Sequence, residues 1–128
     1  MHYLEAVAPA AARIIMGLFY WVMAAGLAKD FKIVTGLMAA KGVPAQPPLL
    51  VVTIGVWIVG GAALILGRGV IPSALVLLVL TAAVTPVMHN FWQAEPAMFA
   101  SELQHFMKNI AIIAGLLALI AIEAAKAN

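Results

Sequence analysis

Residues 88–112 crowd His89, Asn90, Trp92, Glu95, Glu102, His105, Lys108 and Asn109 into one short connection between two long hydrophobic runs. Two readings can be written for them, one chemical and one structural. Glu102-x-x-His105 has the i, i+3 spacing that puts two ligands on one helix face, and His89 could complete a His2-Glu metal set. A di-iron bundle needs two such motifs and further carboxylates, and this chain has one, so the expectation is no metal and no haem between His89 and His105. The competing reading is structural. Helix ends at a membrane interface need caps and anchors, and Trp, His, Lys and Asn serve as both. Ser101 reads as an N-cap, with Glu102 at the favourable end of the helix dipole. There is no nucleophile–His–acid set and no phosphate-binding loop.

The elements that must position this cluster are hydrophobic. Of the 128 residues, 66% are hydrophobic and 9% are charged, where a soluble domain carries roughly 25% charged residues. Lipid is the solvent such a composition suits. The fold expected is all-α, a four-helix integral membrane bundle in a single domain. The spans fall at about 6–28, 48–66, 70–88 and 106–124, each near the roughly 20 residues that cross the hydrocarbon. The first run lacks a basic leader and is read as a helix of the mature protein. Net charge is +2 with no basic stripe, which argues against nucleic acid. The chain has no cysteine, so disulfides, thiolate metal ligation and a thiol relay are excluded for its own residues.

Along the chain, Arg13 interrupts the first span about two turns in, and Glu123 lies near the end of the fourth, on the same side of the membrane. The two are candidates for a buried charge pair. Residues 31–40 have the apolar spacing of a short interfacial helix. Gly67-Arg68-Gly69 is a tight reversal that makes the second and third spans antiparallel neighbours. Pro86 should kink the third span just before His89. Positive charges divide four against three between the two sides, which leaves orientation open.

His89-Asn90-Phe91-Trp92 followed by Phe106-x-Lys108-Asn109, with Arg13, Gly17, Gly26 and Lys29 in the first helix and Gly61-x-x-Leu64-x-x-Gly67 in the second, resembles the DoxX family of small bacterial membrane proteins. Trp57 stands where many members of that family carry an acidic residue. The resemblance implies a multi-pass protein of the bacterial inner membrane and a subunit of a respiratory or sulfur-linked oxidoreductase. Such a subunit would anchor a partner and help form a quinone site. His89, Asn90, His105, Lys108 and Asn109 are suitable donors to quinone carbonyls, with Trp92 and Phe106 flanking the ring. The partners so implied are the bilayer and other subunits of a redox complex, with a homo-oligomer as a further option. The alternative from a different class is a non-catalytic membrane scaffold or assembly protein.

Overall fold

The computed structural model describes residues 1–127, and the described residues are helical with no strand. The helices are α1 (His2–Lys29), α2 (Phe31–Ala40), α3 (Gln46–Leu66), α4 (Val70–Met88) and α5 (Pro96–Lys126), with a 3-10 turn at Phe91–Gln93. Four of them, all but α2, are long and apolar enough to cross a membrane. Between 17% and 28% of each span is buried inside the bundle. The outward faces are therefore hydrocarbon as well, with Val22, Val51, Val59, Val79 and Leu117 exposed along them. A helix apolar all round belongs in lipid, and the chain is a multi-pass membrane protein.

Punctuation residues set the path. Asp30 ends α1 and starts α2. Pro47 and Pro48 lie in the first turn of α3, where a missing N–H leaves no helix bond unmade. Gly67 and Gly69 take left-handed φ angles of 69° and 59°, which closes the α3–α4 hairpin in three residues. Residues 31–40 form the short helix that their spacing predicts.

The fourth span differs from expectation. Residues 96–105 read as connection because they are polar, yet α5 begins at Pro96 and runs 31 residues. Pro96 suits a first helical turn, and no later residue breaks the helix before Lys126. Ser101 is therefore inside α5 and is not its N-cap, a position held by Glu95. At 1.5 Å per residue α5 is about 46 Å long, against about 30 Å of hydrocarbon, so its first turns reach beyond the apolar slab.

Packing is tightest where side chains are smallest. Carbon added at Gly17 would lie 2.5 Å from the Gly61 carbonyl oxygen and 2.6 Å from Ile65. The backbones of α1 and α3 thus meet directly at Gly17 and Gly61, as small residues permit between membrane helices. Gly60 receives Leu77 of α4, and Gly115 of α5 receives Met16 of α1. Tyr20, Leu64, Leu77 and Leu116 are fully buried at the centre.

Candidate functional site

From that closely packed half the helices separate toward the other side of the membrane. A cavity of about 690 Å³ opens between α1, α2, α3, α4 and α5. Phe19, Tyr20 and Met23 of α1, Leu50, Thr53 and Trp57 of α3, and Leu80, Thr81 and Val84 of α4 form its walls. Met38 and the Lys41–Pro44 loop lie over it, and His89, His105, Lys108 and Asn109 stand toward its polar end. The lining runs about two turns along each long helix, for instance Leu49 to Trp57, a depth of about 12 Å.

A hydrogen-bonded ladder stiffens one wall. The Asn109 amide donates to Thr85 Oγ1 at 3.0 Å, and the Thr85 hydroxyl donates to the Thr81 carbonyl one turn back. Tyr20 Oη and Thr81 Oγ1 share a 2.7 Å hydrogen bond. All of these atoms come from long, mainly apolar helices, and each finds its partner within the bundle. Trp57 packs edge-on to Tyr20 with centroids 5.6 Å apart, and its buried indole N–H has no acceptor among the described residues.

The rim is charged. Lys41 Nζ donates to Asn90 Oδ1 at 2.6 Å and lies 3.9 Å from Glu102 Oε2. His89 Nδ1 is 3.6 Å from the same carboxylate oxygen, and the His89 ring stacks on His105 at 4.9 Å. Glu102 therefore gathers Lys41 and His89 into one polar lid contact between the loop after α2, the end of α4 and the start of α5. Lys108 stands apart: its ammonium lies 5.7 Å over the Phe19 ring, and it has no ion-pair partner among the described residues.

Of the residues singled out in the sequence, His89, His105, Lys108 and Asn109 thus come together on the cavity. Asn90 lies one step back, holding Lys41 and Gln93. Trp92 faces away: it is 54% exposed and packs with Phe91 and Phe106 in an aromatic cluster that also includes Phe99. Phe106 and Trp92 do not flank a ring site. Among the described residues no three His, Cys, Asp or Glu groups converge as metal ligands do, and the stacked histidines present ring faces to each other. Arg13 and Glu123 are not paired. Arg13 donates at 2.8 Å to the Leu64 carbonyl in the last turn of α3, an oxygen that also accepts from the Gly67 N–H, while Glu123 holds Lys126 at 3.2 Å one turn along α5. The Tyr20–Thr81–Thr85 wall and the role of Lys41 were not anticipated. Two threonines four apart on an apolar helix were the available signal.

Fold and site together define a class: a multi-pass helical membrane protein that encloses an apolar cavity beneath a charged rim. The chain matches the model of the family described as HR-like lesion-inducing over residues 28–122, well over half its length, and it belongs to that family. This match replaces the DoxX assignment. The oxidoreductase-subunit and quinone reading fails with it, since that reading drew its function from the DoxX resemblance. The His-Asn-Phe-Trp and Lys-Asn segments lie inside the matched stretch. No curated protein and no solved structure matches the chain.

Proposed function

We propose that this protein is a membrane-embedded binding protein for a small amphiphile, which places its apolar part in the cavity and its polar head at the rim. The observation that carries this reading is the cavity itself. Its volume of about 690 Å³ lies within the roughly 300–1,000 Å³ of small-molecule sites, which combine mostly apolar walls with a few convergent polar groups. Here the walls are aliphatic and aromatic, and His89, His105, Lys108 and Asn109 converge at one end. The buried Trp57 N–H adds a donor inside. Burial of the apolar part contributes little over lipid, because hydrocarbon is already apolar, so recognition depends on the head and on shape. The reading requires only a bilayer; the bacterial inner-membrane location expected from the DoxX resemblance has no other support.

The test is saturable binding. A fluorescent single-chain probe is titrated into nanodiscs with and without the protein. The expected result is a one-to-one component above partition into lipid. It should disappear when Thr53→Phe and Val84→Phe fill the cavity, and persist when Val22→Phe and Val79→Phe add the same volume to the outer faces. Binding that is non-saturable, or equal in both double variants, would remove the cavity as a site.

A further inference from the structure

The charges around the rim are unequal, and this inequality selects a ligand head. Two lysines line the cavity, Lys41 and Lys108. Lys41 is already served, by Asn90 at 2.6 Å and by the Glu102 carboxylate at 3.9 Å. Lys108 is partly buried, sits on a transmembrane helix and has its ammonium over the Phe19 ring. A cation–π contact offsets only part of the cost of holding an ammonium at the edge of an apolar slab. A counter-anion in the cavity would offset that cost. Donors stand ready around it: His105, which has no hydrogen bond among the described residues, and the second N–H of the Asn109 amide, whose first goes to Thr85.

The geometry points to a single-chain monocarboxylate as the ligand, its head paired with Lys108 and its chain lying down the cavity toward Tyr20 and Trp57. This rests on the binding function proposed above. One negative charge is favoured over two because Lys108 is the one lining lysine without a carboxylate beside it. Glu102, on the same rim, opposes a second negative charge. One chain is favoured over two because the cavity holds about 690 Å³ and its lining is about 12 Å deep.

The experiment compares three probes of equal chain length in nanodiscs at pH 8.5: a fatty carboxylate, the corresponding alcohol and the corresponding alkyl phosphate. Each competes with the fluorescent probe on the intact protein. The carboxylate is expected to bind about tenfold or more tightly than the alcohol, and more tightly than the phosphate, since a charged hydrogen bond is worth a tenfold change or more. Lys108→Gln should bring carboxylate and alcohol within about twofold, whereas Lys32→Gln, on α2 outside the lining, should keep their ratio. Equal binding of alcohol and carboxylate by the wild-type chain would overturn the head-group assignment while leaving the amphiphile site standing. Tighter binding of the phosphate, or a ratio kept in Lys108→Gln, would overturn it too. Failure of all three probes to compete would end both this inference and the binding function beneath it.

Discussion

Arg13 shows how a charge inside a membrane helix can be met without an opposite charge. Its guanidinium reaches the Leu64 carbonyl in the last turn of α3, as a second donor beside the N–H of the left-handed Gly67. The arrangement is that of a basic group at a helix C-terminus, favoured by hydrogen bonding and by the dipole. Arg13→Met should therefore destabilise the fold by about 1 kcal/mol, the scale of single hydrogen bonds between membrane helices. Glu123→Gln should cost much less, because its Lys126 partner is a surface pair one turn away on the same helix. Steric-trap unfolding of the two single variants and the double should give additive effects, as for separate sites. Recovery of stability in the double variant would instead reveal a pair between them. The sequence could place both residues on one side of the membrane. It could not reveal a carbonyl 51 residues away as the acceptor, because backbone acceptors leave no trace in residue types.

At the scale of elements, two packing regimes share one bundle. At one end α1 and α3 touch backbone to backbone through Gly17 and Gly61. At the other the helices diverge around the cavity, and the Asn109–Thr85–Thr81–Tyr20 ladder holds α5, α4 and α1 at fixed separation. Gly17→Ala brings a carbon to 2.5 Å from a carbonyl oxygen. It should destabilise by about 1–3 kcal/mol, the usual cost of overpacking. Gly55→Ala, where nothing lies within 4 Å, should be neutral or slightly stabilising. Equal melting of the two variants by a thermal-shift or steric-trap assay would contradict the close crossing. The spans, the α3–α4 hairpin and α2 were legible because hydropathy and glycine spacing report local structure directly. The start of α5 was not, because Glu102, Gln104 and His105 make residues 96–105 polar, and polarity in a membrane chain reads as a connection. Here it is a helix that has left the hydrocarbon. Four of the polar residues that reach the cavity, His89, His105, Lys108 and Asn109, were legible by type. The cavity was not, since it arises from how far the helices diverge, a property of packing between distant residues.

The whole molecule is a bundle with one closed end and one open, and the open end lies on the side of α2 and the α4–α5 connection. With no native cysteine, single cysteines can map this directly. Probes at Ala40 and Ala97 should react from one face of the membrane, and probes at Ser73 and Ala127 from the other; labelling of Ala40 and Ala97 from opposite faces would break the four-span topology. The central claim is that an amphiphile occupies the cavity, and Trp57 is built into its wall as a reporter. In a Trp21→Phe, Trp92→Phe background Trp57 is the one remaining indole. The most direct measurement is the quenching of its fluorescence by a single-chain fatty acid brominated along its chain, added at low mole fraction to protein in nanodiscs. The account predicts quenching that saturates at one molecule per chain, is reversed by the unbrominated acid, and is lost when Thr53→Phe and Val84→Phe fill the cavity. Quenching that rises in proportion to brominated acid in the bilayer, without saturation and regardless of the filled cavity, would contradict it.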